Sequence, residues 1–71
     1  MKITDKMIAE WQARKDTACN YITAADRFCS RDVPESSTWM CWSNKLGGWT
    51  YGRGKFATIR KAIRAEMKGK K

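Results

Sequence analysis

Apolar residues recur at helical spacing at both ends of this chain, and that periodicity limits the folds open to it more than any other feature. At about 100° per residue, Ile3, Met7, Ile8, Trp11, Ala18, Tyr21, Ile22, Ala25, Phe28 and Cys29 share an arc of about 160°. Only Arg14 and Lys15 interrupt it. Thr4 suits an N-cap, and Asp5 follows where a negative charge favours the helix dipole. The pattern predicts a helix over residues 4–29, or two helices if the chain breaks near Asp16-Thr17. At the other end, Phe56, Ile59, Ile63 and Met67 fall within about 80°, with Arg60, Lys61, Arg64 and Lys68 over the neighbouring 100° or so. A helix from Lys55 with one apolar and one basic face is expected, with Gly69-Lys70-Lys71 fraying. Both apolar stripes read as scaffold rather than binding surface.

Between them, Ser30–Ser37 is a polar connection. Asp32 as cap, Pro34 in the first turn and Glu35 closing a capping box predict a short helix over Val33–Leu46, ending at Gly47-Gly48. A hairpin competes with it. Thr38-Trp39-Met40-Cys41-Trp42 and Trp49-Thr50-Tyr51 are β-prone, and Asn44–Gly48 would turn the chain between them. The expected fold class is mainly α: one small helical domain over residues 1–71, with a short central helix or hairpin and a glycine-rich turn.

A chain of 71 residues buries only a modest core, so a staple or a partner would help it. Cys19, Cys29 and Cys41 are odd in number and follow no secretory leader, which predicts reduced thiols in a cytoplasmic setting. No apolar run approaches the roughly 20 residues that span a bilayer, so no membrane partner is expected. Leftover apolar surface suits a monomer or a homodimer seam equally.

Charge divides the chain in two. Residues 1–36 hold six bases and six acids, whereas residues 37–71 hold nine bases and one acid, Glu66. The whole net charge of +8 therefore lies in the second half, which favours an anionic partner. Catalysis is poorly served. The chain has no histidine, and its acids form no pair suited to acid–base work. Cys41, near Lys45, is the only nucleophile to weigh, and a buried thiol explains it better. Three cysteines spaced ten and twelve residues apart make no zinc site, and no metal or cofactor is expected.

The segment Trp39–Lys55 concentrates three of the four tryptophans and four of the five glycines. Trp49 and Tyr51 offer flat faces for stacking bases, and glycine lets a backbone approach a ligand. Gly52-Arg53-Gly54-Lys55 opens the last helix, where free amides and the dipole favour phosphate. The stretch Gly52–Ala57 also fits G-x-G-x-x-A, but no βαβ unit surrounds it, so a dinucleotide fold is rejected. It is not a Walker A loop, because Phe56 follows the lysine where Ser or Thr is needed.

Trp42-Ser43-Asn44-Lys45-Leu46-Gly47-Gly48-Trp49-Thr50-Tyr51-Gly52 resembles the signature of the ryanodine-receptor-type (RyR) domain, in which a helix bearing a tryptophan and a base leads into Gly-Trp-x-Tyr-Gly. The resemblance covers eleven residues. In that family the motif helps shape a pocket, considered for nucleotide binding in some members. The resemblance thus implies Trp42, Lys45, Trp49 and Tyr51 as pocket residues and favours a helix over a hairpin before Gly47. Lys55–Met67 stands where the family carries His-Pro and Leu-x-Pro-Tyr segments. In its density and basicity the chain also resembles accessory proteins of bacteriophages.

The expected function is a non-catalytic binding module for a phosphate-bearing ligand, nucleic acid or nucleotide. Arg53, Lys55, Arg60 and Arg64 would contact phosphate while Trp49 and Tyr51 stack a base, with Trp42 and Lys45 completing the set. The alternative is an inhibitor or adaptor that lays the basic helix on an acidic host protein, with tryptophans as anchors.

Overall fold

The computed structural model describes residues 2–29 and 32–69. Helix α1 (Asp5–Ala13) is followed by strand β1 (Thr17–Tyr21) and a short helix α2 (Ala24–Cys29). Strands β2 (Trp39–Ser43) and β3 (Gly48–Gly52) form a hairpin that leads into the long helix α3 (Lys55–Gly69). The three strands make one antiparallel sheet in the order β1-β2-β3. Helices α1 and α3 pack on the same side of it. Ile3, Ile8, Trp11, Cys41, Ile59, Ala62 and Ile63 form the core between the layers. Among the described residues, no helix is long and apolar enough to cross a membrane.

The fold is α+β, so the expectation of a mainly α, helical domain is wrong in two places. The first is residues 4–29, where the chain does break before Thr17 but continues as a strand, so neither one helix nor two adjoining helices describes it. Thr4 does cap α1, accepting a hydrogen bond on Oγ1 from the Met7 amide at 3.2 Å. The helix then stops at Ala13. The Arg14 guanidinium forks onto both oxygens of Asp16 at 2.9 Å each. Thr17 Oγ1 donates to the Trp11 carbonyl at 2.7 Å, which also accepts the Arg14 amide at 3.2 Å. These contacts reverse the chain, and Thr17–Tyr21 leaves as a strand. The second half of the apolar stripe is divided between that strand and α2. Helix α2 begins with a reciprocal cap: Thr23 N and Oγ1 donate to Asp26 Oδ2, and the Asp26 amide donates to Thr23 Oγ1.

The second is the helix over Val33–Leu46, where the structure takes the competing hairpin instead. Asp32–Glu35 makes only turns, in which the Ser37 amide donates to the Pro34 carbonyl at 3.1 Å. The Arg27 side chain reaches the carbonyls of Pro34, Glu35 and Ser37, holding this connection beside α2. Trp39–Ser43 becomes the central strand, so neighbours on both sides satisfy its backbone groups, which no isolated helical preference offsets. Gly47, at φ +66°, supplies the left-handed residue that closes the hairpin. The fraying expected of Gly69-Lys70-Lys71 falls partly outside the described residues; Gly69 is the last residue of α3.

Gly52 is where β3 and α3 approach most tightly. A Cβ there would lie 2.7 Å from Thr58 Oγ1 and 3.4 Å from Thr58 Cα. Thr58 is fully buried, and its hydroxyl donates to the Gly54 carbonyl at 2.7 Å. Gly52→Ala should therefore cost about 1–3 kcal/mol of stability through overpacking. Gly48→Ala is the control on the same strand, because nothing lies within 4 Å of its Cβ position. Chemical denaturation of the two variants checks this, and equal midpoints would refute it.

Candidate nucleic-acid interface

Strand alternation decides which side chains share a surface. On β2, Cys41 and Ser43 are buried beneath the helices, and Trp39 shares their parity. Met40 and Trp42 therefore point out of the opposite face. The register places Trp42 opposite Trp49 and Met40 opposite Tyr51. On the other side, Ala18 lies opposite Trp42 and Asn20 opposite Met40. This outer face thus carries two cross-strand rows, Ala18–Trp42–Trp49 and Asn20–Met40–Tyr51. The indoles of Trp42 and Trp49 meet edge to face, with centroids 5.4 Å apart and planes at 63°. Trp42 Nε1 donates to Asn44 Oδ1 at 3.0 Å, which fixes the ring. Trp49 remains 42% exposed, while Trp42 and Tyr51 are half-buried. Helix α2 flanks part of this face, and Asp26, Cys29 and Val33 line a shallow hollow with Met40, Trp49 and Tyr51.

The cations expected at the site separate into two groups. Lys45 is exposed in the turn between β2 and β3, and Arg53 is exposed just after β3, so they stand at opposite ends of the hairpin strands. Lys55 opens α3 and belongs to the helical side. It lines a hollow with Trp11, Gln12, Thr17, Ala18 and Cys19, and its Nζ lies 6.0 Å from the Phe56 ring centroid. Arg60 and Arg64 lie on the helical side as well, beside Lys2, Ile3, Thr4 and Asp5 at the start of α1. The structure thus groups Trp42, Trp49 and Tyr51 on one face, with Lys45 in the turn at one end of the hairpin and Arg53 after its other end. It sets Lys55, Arg60 and Arg64 on the helical side. Sequence reasoning passed over Lys61, whose Nζ donates to the Tyr51 carbonyl at 2.9 Å along the free edge of β3. It also passed over Met40 and Asn20, which strand parity alone places on the outer face.

The distribution of acids strengthens the basic surface. Glu66, the one acid of the second half, is spent internally. It accepts hydrogen bonds from Arg14 at 2.7 Å, from Trp11 Nε1 at 3.3 Å and from the Ser43 hydroxyl. The ion pairs among the described residues are Arg14–Asp16 and Arg14–Glu66. Lys45, Arg53, Lys55, Arg60, Lys61, Arg64 and Lys68 therefore carry their charge without an ion-pair partner among those residues.

The eleven residues that resemble the RyR signature form a hairpin here, so the helix that resemblance favoured before Gly47 is absent. Trp42, Trp49 and Tyr51 nevertheless share a face, with Lys45 in the turn between them. In comparisons with known proteins, no family model, no curated protein and no solved structure matches the chain.

Proposed function

We propose that this chain is a non-catalytic nucleic-acid-binding module that takes a single-stranded segment across the outer face of its sheet. One observation carries the reading: three aromatic side chains share that face, and unpaired cations stand at both ends of its hairpin. Aromatic faces stack bases of any sequence, and Lys45 and Arg53 would hold the flanking phosphates. A five-residue strand is about 16 Å long, enough for two or three stacked nucleotides. The hollow that α2 makes beside these rings is not enclosed, which suits a continuing strand better than a mononucleotide, whose binding draws on enclosure. A reducing, cytoplasmic setting belongs to this reading and is supported by the odd number of cysteines.

A second reading is favoured by one feature of the helical side. Phe56 is 54% exposed beside Arg60, in a hollow with Asp5, Ile8, Ala9 and Gln12. An aromatic anchor next to arginine is the composition of a protein-docking hot spot.

Titration of the nuclease-treated protein with short single-stranded and duplex oligonucleotides, followed by tryptophan fluorescence, separates the two. Single strands should quench, with log K falling against log salt at about −0.7 per phosphate contact, or roughly −1.4 to −2.1 for two or three contacts. Silence towards every oligonucleotide, together with one stoichiometric protein partner that survives nuclease, would transfer the function to the helical side.

A further inference from the structure

Cys19 and Cys41 are register partners on the covered side of the sheet, under α1 and α3. Their position in the ladder is special. The Ile22 amide donates to the Thr38 carbonyl at 2.9 Å, and the Asn44 amide donates to the Asp16 carbonyl at 3.1 Å. Those pairings lie three positions to either side of Cys19–Cys41. Hydrogen-bonded and non-hydrogen-bonded pairs alternate along an antiparallel ladder, so Cys19–Cys41 is a non-hydrogen-bonded pair. In such pairs the Cα atoms approach to about 4.5 Å and the side chains are closest, within the range a disulfide spans. The two sulfurs are in contact at 2.6 Å, and both thiols are free.

We propose that Cys19 and Cys41 form a reversible dithiol–disulfide couple that is oxidised by a low-molecular-weight disulfide. Cys19 is the entry point, because it is half-buried and lines the hollow that also holds Gln12, Thr17 and Lys55, whereas Cys41 is fully buried. The Cys19 thiolate attacks one sulfur of the oxidant. A mixed disulfide forms, the oxidant's S–S bond breaks, and the first small thiolate leaves and takes up the proton Cys19 gave up. Cys41 then loses its proton and attacks Cys19 Sγ, forming the cross-strand bond and expelling the second small thiol. The protein gives up two electrons and two protons, and the oxidant leaves as two reduced thiols. Burial pushes both thiols above their ordinary range, and Lys55 only partly opposes it. Uncatalysed exchange therefore takes minutes to hours.

The bond would join positions 22 residues apart and restrict the unfolded chain, raising the melting temperature by on the order of 10 °C. Trp42 and Trp49 project from the opposite face, so the outer surface stays as it is. The couple does not depend on the nucleic-acid reading.

The test equilibrates the purified protein in mixtures of oxidised and reduced glutathione. Remaining thiols are then trapped with N-ethylmaleimide under denaturing conditions and mapped by mass spectrometry. In oxidising mixtures the Cys19 and Cys41 peptides should be linked, with only the exposed Cys29 carrying maleimide or glutathione. The melting temperature should rise and return on treatment with dithiothreitol, and Cys29→Ser should behave alike. Maleimide or glutathione on Cys19 and Cys41 separately in the most oxidising mixture would overturn the proposal. So would a cross-link through Cys29.

Discussion

Glu66→Ala should lower the melting temperature further than any other single change to a polar side chain in this protein. The Glu66 side chain is only 8% exposed and joins three elements. It accepts from Trp11 Nε1 on α1, from Ser43 Oγ on β2 and from Arg14 at the α1–β1 turn. Without the carboxylate, the buried Ser43 hydroxyl and Trp11 N–H lose their acceptor, and Arg14 keeps only Asp16. Removing one partner of such a buried pair costs about 3–5 kcal/mol. That is a large share of the roughly 4–11 kcal/mol expected of a domain of this size. At about 4–8 °C per kcal/mol, the melting temperature should fall by at least some 12 °C. Glu66→Gln keeps the volume and one acceptor and should fall between the variant and the native chain.

The same contacts make the fold sensitive to acid. Burial alone would raise the Glu66 pKa, but the hydrogen bonds from Arg14, Ser43 and Trp11 outweigh it and hold the group below its ordinary 4.5. The hydrogen bond from Arg14 likewise holds Asp16 below 3.8. A carboxyl whose pKa is depressed by folding stabilises the native state fully above its unfolded value, and less as pH falls through the folded one. Stability should therefore be level above about pH 5.5 and decline below about pH 4.5. Glu66→Gln should flatten that decline. Thermal melts across this range measure both effects; an unchanged acid limb in Glu66→Gln would assign the decline to other carboxylates.

How much of this was legible in the sequence depends on where each signal lay. The cap at Thr4 and the helix from Lys55 are local: a side-chain oxygen two to three residues from an amide, and an apolar stripe held over three turns. The Ala18–Ile22 stretch was misread because so short a run satisfies helical and strand periods alike. The deciding contact was the Arg14 fork onto Asp16, two residues away, which no periodicity reports. For Trp39–Ser43 the sequence leaves helix and hairpin both open, because the choice depends on pairing with β1, which lies far back in the chain. The site was half visible for the same reason. Clustering within residues 39–55 marked Trp42, Lys45, Trp49, Tyr51 and Arg53. The basic stripe of α3 looked continuous with them in sequence, but α3 buries Ile59, Ala62 and Ile63 against the sheet and leaves Arg60 and Arg64 beside the start of α1.

That separation makes the nucleic-acid reading sharp enough to fail. Trp49→Ala should weaken single-strand binding by about 5- to 150-fold, the equivalent of one lost base stack of about 1–3 kcal/mol. Its cost in stability should be smaller, because Trp49 is well exposed and its main loss is the edge contact with Trp42, worth about 0.5–1.5 kcal/mol. Trp49→Phe retains a ring and should recover most of the affinity. Lys45→Ala with Arg53→Ala should leave stacking intact but flatten the salt dependence by about 1.4, two contacts at 0.7 each. Arg60→Ala with Arg64→Ala removes as much charge from the helical side and should leave the slope within error of the native protein. If the Arg60 and Arg64 pair flattens the slope while Trp49→Ala binds normally, the strand runs along α3. The aromatic rows would then belong to a different interaction.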